Sequence, residues 1–228
     1  MIELSVVLPC LNEAQTLGYC IETIQKTLNL HQIKGEIILA DNGSTDQSIE
    51  IARQYGIRIV IEATKGYGAT LQNGIKHAVG AYVIIGDSDK SYDFGELVTI
   101  LTALRQGNQL VIGNRFKGQI SPNAMPWLHQ YVGNPVLSTI ARLLFNIPLG
   151  DFHCGLRGFS RNAYLGWDVK SKGMEFASEL IICAKLARAN IAEVPVNLYP
   201  DGRNRAPHLN TWRDGFRHLR LIISKKFL

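Results

Sequence analysis

Short apolar runs separated by helix-spaced segments set the rhythm of the first half of the chain. LSVVLP (residues 4–9) is a β-rich run of the kind found in strands covered on both faces, and EIILA (36–40), IRIVI (57–61), AYVII (81–85) and NQLVIG (108–113) predict four more strands. Between them, Leu17, Ile21, Ile24 and Leu28 recur at helical spacing over residues 14–28. The DNGSTD turn offers Ser44 or Thr45 as the cap of a helix reaching Tyr55. KGYGATLQNGIKHAV (65–79) reads as a Gly-rich loop feeding a helix, and Glu96–Arg105 as another helix. Such alternation predicts an α/β fold whose sheet is mostly parallel, with right-handed crossovers.

After Arg115 the rhythm breaks. Gly118, Pro122, Pro126 and Pro135 mark a loop or lid around short helical pieces. A helix over Pro135–Phe145, a strand at LRGFS (156–160), a helix over Phe176–Arg188 and a strand in IAEVPVNLY (191–199) follow. Beyond the loop PDGRNRAPH (200–208), Leu209, Trp212, Phe216, Leu219, Ile223 and Phe227 repeat at helical spacing, with Arg213, Arg217, Arg220, Lys225 and Lys226 among them. The simplest expectation is that this stripe packs against the domain. Its basic flanks also suit an anionic membrane surface.

Composition narrows the picture less. With 228 residues, 46% of them hydrophobic and 19% charged, the chain has the material for one substantial core and no signature of disorder. A net charge of +5 is compatible with nucleotides, nucleic acid or an anionic membrane and chooses none of them. Cys10, Cys20, Cys154 and Cys183 form no CxxC pair, as expected of reduced, buried cysteines in a cytoplasmic domain. MIELSVVLPCLNEA has no basic leader before its apolar run, which argues against a signal peptide, and no window approaches the ~18 apolar residues of a spanning helix.

The chemistry concentrates in GDSDKSYDF (86–94). Asp87 and Asp89 fall just past the end of a strand, where α/β sheets gather ligands. On extended backbone an i, i+2 pair points to one side, and two carboxylates so placed repel unless a cation or protons intervene. Oxygen ligands of this kind suit Mg²⁺ or Mn²⁺, and no His/Cys cluster favours zinc. The bland alternative is a solvated turn in which Asp87 caps the helix near Glu96. Asp41, leaving the second strand ahead of Asn42 and Gly43, suits either a base edge or ribose hydroxyl, or an Asx turn. Neither GxGxxG nor GxxxxGK[ST] is present, so dinucleotide-fingerprint and P-loop readings are excluded. Paired acids after a strand also argue against nucleic acid as the partner, since carboxylates repel phosphate backbones.

Taken in order, VVLPCLNE, ADNGSTD, KGYGAT, GDSDKSYD, GNR, DFHCGLRGFSR and GMEFASELI resemble the family 2 glycosyltransferases over about residues 4–220. Within them the chain is most similar to the polyprenyl-phosphate branch typified by dolichyl-phosphate mannose and glucose synthases. The resemblance implies a GT-A-type nucleotide-binding fold, Mg²⁺ or Mn²⁺ as cofactor and a UDP- or GDP-sugar donor. It further implies inverting transfer to a polyprenyl phosphate, dolichyl or undecaprenyl, by an enzyme peripheral to the cytoplasmic face of the membrane. It divides one domain into a nucleotide-sugar-binding half (1–115), an acceptor and lid region (116–208) and a C-terminal amphipathic helix (209–228).

By position, the resemblance places Pro9, Asn12 and Glu13 around the nucleoside, Asp41 on the base or ribose and Lys65 in the adjoining loop. Asp87 and Asp89 match the diphosphate–metal motif, with Asp89 the direct ligand, and Arg115 falls near the phosphates. Arg157 and Glu175 lie in blocks around the sugar and acceptor, and Arg203, Arg205 and His208 at the acceptor phosphate. Catalysis then falls to Asp89, Arg115 and Glu175. The chain departs from the family where the metal motif reads Asp87-Ser88-Asp89-Lys90, which sets a cation beside it, and where the double-Asp turn has become Asp41-Asn42. Structural alternatives stand beside these roles: Arg157 pairing with Asp151, Arg203 and Arg205 in a solvated turn, Glu179 on a helix surface. A polysaccharide or glycolipid acceptor, or a catalytically silent nucleotide-binding regulator, remain open at this level.

Overall fold

In a computed structural model describing residues 1–203 and 211–227, seven strands form one sheet in the order β3-β2-β1-β4-β6-β5-β7. They are β1 (Leu4–Cys10), β2 (Gly35–Asp41), β3 (Arg58–Ile61), β4 (Tyr82–Ile85), β5 (Leu110–Asn114), β6 (Arg157–Ser160) and β7 (Ile191–Pro195). The sheet is parallel except for β6, which runs antiparallel to both β4 and β5. The sequence rhythm foresaw the parallel part, where buried strands are near-continuous apolar runs. The direction of β6 follows from the long excursion after Arg115. That excursion brings the chain back to the rim where β4 and β5 end, so β6 starts there, with Arg157 in register with Ile85 and Ile112.

The helices are α1 (Leu17–Leu30), α2 (Ser48–Gln54), α3 (Tyr67–His77), α4 (Leu97–Arg105), α5 (Asn134–Phe145), α6 (Arg161–Tyr164), α7 (Phe176–Leu186) and α8 (Thr211–Lys226). α3 packs over β1–β3 and α4 over β4–β6. One apolar core runs along the sheet, through Val6, Leu8, Ile38, Ile84, Val111 and Phe159. The cysteines are buried and unpaired, as expected.

Two expectations change. α2 begins at Ser48, later than a Ser44 or Thr45 cap requires, because the Ser44 hydroxyl instead accepts from the Asn12 amide at 2.8 Å. More consequential is α8. Its inward face is Asp214, His218 and Ile222, while Trp212 (81% exposed), Phe216 (66%) and Phe227 (85%) point away from the domain. The apolar stripe at Trp212, Phe216, Ile223 and Phe227 therefore does not pack on the core, and Leu209 lies outside the described residues. Among the described residues no helix is long and apolar enough to cross a membrane.

Candidate active site

A cleft of about 320 Å³ opens at the carboxyl rim of the sheet, its walls including Pro9, Asp87, Asp89, Arg157, Arg203 and His218. Asp87 is held by the Tyr67 hydroxyl, which donates to Oδ1 at 3.0 Å. Burial, and next the charge of Asp89, push the Asp87 carboxyl up to about 6. A β-carbon on Gly155 would fall 2.1 Å from Asp87 Oδ2, so only glycine leaves room for the carboxylate there. Asp89 folds its own loop, Oδ1 accepting from the Ser91 amide (3.0 Å) and hydroxyl (2.5 Å), and its Oδ2 meets Arg203 Nη2 at 3.0 Å. Between the acids, Ser88 donates to the Pro9 carbonyl at 2.5 Å. The helix-cap alternative for Asp87 fails, because Asp93 accepts from the Gly95 amide there. Lys90 turns aside with a left-handed backbone (φ 69°), its ammonium 4.4 Å from the centre of the Tyr19 ring.

One buried and one half-buried carboxylate facing one cavity, Asp89 and Asp87, are the donor chemistry that Mg²⁺ or Mn²⁺ takes. Among the described residues no three His, Cys, Asp or Glu side chains converge to hold a metal. Water and phosphate oxygens would therefore complete the shell, as is usual for Mg²⁺.

The residues expected at the nucleoside gather around the loops after β1 and β2. Asn12 adopts φ 59° and its side-chain Oδ1 accepts from the Thr45 amide at 2.7 Å, tying the two loops together. Asp41 Oδ2 accepts from the Gly43 and Ser44 amides, which is the Asx turn, while its Oδ1 is buried without a hydrogen-bond partner. The Asx-turn reading therefore holds for one oxygen, while the other makes no hydrogen bond among the described residues. Lys65 donates to the Asn42 carbonyl at 2.5 Å, and the Asn42 side chain fastens the same loop through the Gly66 amide. Glu13 accepts from Arg203 at 3.2 Å.

The arginines divide sharply. Arg115 is buried and gripped by Asp151 through two bonds, Nε to Oδ2 at 2.7 Å and Nη2 to Oδ1 at 2.8 Å. Burial raises the Asp151 carboxyl, but the guanidinium more than offsets this and leaves it below the usual value. Arg115 is not in the cleft wall, so its geometry is that of a fastening for the DFHCGLR turn, the part expected of Arg157 as its structural alternative. Arg157 makes no pair with Asp151. It lines the cleft and donates to backbone carbonyls of Cys154 (2.9 Å) and Ala177 (2.8 Å), so among the described residues no carboxylate within bonding distance neutralises it. Arg203 meets Glu13, Asp89 and Asp201. Arg205 and His208 lie outside the described residues.

Glu175 accepts from Arg217 of α8 at 3.0 Å, and its second oxygen is buried without a partner. Glu179 is no surface residue: it accepts from the Lys170 and Ser171 amides and pairs with Lys225 of α8 at 2.9 Å. Sequence reasoning passed over Tyr67, His129, His153, Ser178, Asp214 and His218. His129 and Thr211 are bonded at 2.8 Å where the lid meets α8. The signal for the α8 pair was a polar i, i+4 repeat, Asp214 and His218, hidden beneath the stronger apolar period.

Residues 5–166 match the model of the family described as Glycosyl transferase family 2. The low-salt glycan biosynthesis hexosyltransferase Agl6 of Haloferax volcanii is 39% identical over 221 residues, 96% of this chain and 53% of that protein, so the chain spans about half of its length. The dolichyl-phosphate hexose transferase of Haloferax volcanii is 29% identical over 196 residues, 85% of this chain and 82% of that protein. The structure of Mycobacterium tuberculosis glucosyl-3-phosphoglycerate synthase with Mn²⁺, UDP and glucosyl-3-phosphoglycerate superposes with a TM-score of 0.75 at 22% identity, covering 100% of this chain and 81% of that one. That likeness establishes the α/β, GT-A-type fold expected from the motifs.

Proposed function

Because the chain belongs to glycosyl transferase family 2, we propose that it moves a sugar from a UDP- or GDP-sugar to a polyprenyl phosphate at an anionic membrane face, with inversion at the anomeric carbon. The observation that carries this reading is α8, whose polar side lines the same cleft as Asp87 and Asp89 while its aromatic side is bare. A helix so divided is suited to lie in a headgroup layer, with exposed Arg220 and Lys226 as cations for anionic lipid. The relative described as a dolichyl-phosphate hexose transferase agrees in acceptor class.

Asp89, with Asp87, would hold Mg²⁺ or Mn²⁺, which when bound offsets the charge that grows on the departing nucleoside diphosphate. Asp41 Oδ1 is the acceptor for a base or ribose donor, with Pro9, Asn12, Glu13 and Lys65 forming that side of the site. Arg157, a buried cation that among the described residues is bonded to carbonyls alone, directs its charge into the cleft and attracts phosphate oxygens. A lipid phosphate is already anionic and attacks without a general base, so Glu175 serves to position rather than to remove a proton. Arg203, released from Asp89, retains Glu13 and Asp201 while facing the same anions. Arg205 and His208, which follow Arg203 in the sequence, complete the acceptor side of the proposal.

The test is transfer from UDP- and GDP-hexoses to a short polyprenyl phosphate with Mn²⁺ and with excess chelator. A chelator-sensitive prenyl-linked sugar is expected. Faster transfer to phosphoglycerate or to diacylglycerol would replace the acceptor, and binding without turnover on any of them would leave a nucleotide-binding regulator.

A further inference from the structure

One buried polar chain in the cleft wall has no part in that scheme. Ser178 of α7 shares its hydroxyl between two imidazoles, His218 Nδ1 at 2.8 Å and His153 Nε2 at 3.3 Å, and the rings stand edge to face with centroids 4.7 Å apart. The two histidines line the cleft, and His153 Nδ1 is buried with no partner. We propose that His153, Ser178 and His218 form the subsite that reads hydroxyl groups of the transferred sugar, an assignment resting on the donor reading above.

The reason lies in proton bookkeeping. A neutral imidazole has one donor and one acceptor nitrogen, and Ser178 has a single proton. If Ser178 donates to His218, then His153 Nε2–H donates to Ser178. His153 Nδ1 is then a bare acceptor and His218 Nε2 a donor. If Ser178 donates to His153, both ends reverse. Either way the chain presents one donor and one acceptor to a ligand. Neighbouring sugar hydroxyls, each able to give and to take, complement that pattern in both states. A phosphate, which only accepts, complements it in neither. The surroundings keep the rings neutral: burial, and next the other histidine, hold His153 well below its ordinary value, and burial brings His218 down to about 4. Because His218 belongs to α8, the subsite is complete only when that helix is seated.

The experiment measures binding of UDP against UDP-glucose, and GDP against GDP-mannose, with Mn²⁺, for the full chain and its Ser178→Ala and His218→Gln variants. Both variants are expected to bind the nucleoside diphosphates as the parent does and to lose at least about tenfold in affinity for the preferred nucleotide-sugar, one hydrogen bond's worth. Discrimination against deoxygenated donors should fall with it. An unchanged ratio of nucleotide-sugar to nucleotide affinity in well-folded variants overturns the subsite, as does equal weakening of both ligands. Donor binding is read without any acceptor, so failure of prenyl transfer alone would leave this result standing.

Discussion

Arg203 Nη2 lies 3.0 Å from Asp89 Oδ2, so the carboxylate assigned to a divalent ion already faces a cation of the protein itself. Arginine and metal therefore compete for one oxygen. Arg203→Gln should bind Mn²⁺ more tightly than the parent in the absence of nucleotide, by up to about tenfold or ~1.4 kcal/mol, yet transfer more slowly. Titration calorimetry with Mn²⁺ alone checks the first half; weaker binding would mean that Arg203 supports the ion.

Asp89→Asn keeps the Ser91 contacts within reach but removes the charge that would bind the ion. Loss of roughly 10²–10³-fold in turnover is expected, the scale of removing one preorganised electrostatic group. Release of nucleoside diphosphate measures it. Saturating chelator on the parent should give the same floor.

The Arg115–Asp151 pair predicts a stability effect rather than a kinetic one. Arg115→Met strands a buried carboxylate and should cost about 3–5 kcal/mol. Adding Asp151→Leu should recover much of that, because the stranded charge goes too. Urea unfolding decides. A single variant that stays fully stable but loses donor affinity would return Arg115 to the phosphates.

His218 makes stability depend on acid. Its folded value, about 4, lies below the ordinary 6.5, so between the two the unfolded chain takes up a proton that the folded one refuses. Stability is thus complete above 6.5 and lost as pH falls toward 4, by up to about 3 kcal/mol. Glu96 has the opposite sign, since burial lifts its carboxyl to about 7 and its contribution is lost as pH rises. His218→Gln shares that background, so the difference between the two urea–pH curves isolates the histidine. Parallel curves would refute the assignment.

Trp212 and Phe216 are exposed on α8, so replacing both by glutamate should leave the unfolding midpoint nearly unchanged. Flotation with anionic liposomes at low salt should fall severalfold, and binding by the parent should weaken as salt rises. No flotation of the parent at low salt would remove the membrane from the proposal.

Much of the scaffold was legible because strands buried on both faces must be apolar almost throughout, and the acid pair was legible because it follows one of them. Three features were not. LRGFS carries no mark of direction, so nothing local says that β6 runs backwards. Arg115 and Asp151 meet across 36 residues, the carboxylate accepting from both the guanidinium and the Arg115 backbone amide, and Arg157 was as plausible a partner on paper. In α8 the strongest period was read as the buried side. At an interface that inference inverts, since the most hydrophobic stripe can mark the side meant for lipid.

The reversal of β6 has a practical corollary for anyone redesigning the protein. A parallel strand gives this rim the loop that leaves it, and that loop carries a crossover helix. β6 gives the loop that arrives, descending from α5 instead of leading into a crossover helix. Along that approach Phe152, Cys154 and Leu156 are sunk in the interior, while positions 153 and 155 reach the cavity. The segment is a two-residue comb with its spine fixed and its teeth exchangeable, and altered sugar preference is best sought by recutting the tooth at 153, since the other must stay a bare glycine beside Asp87.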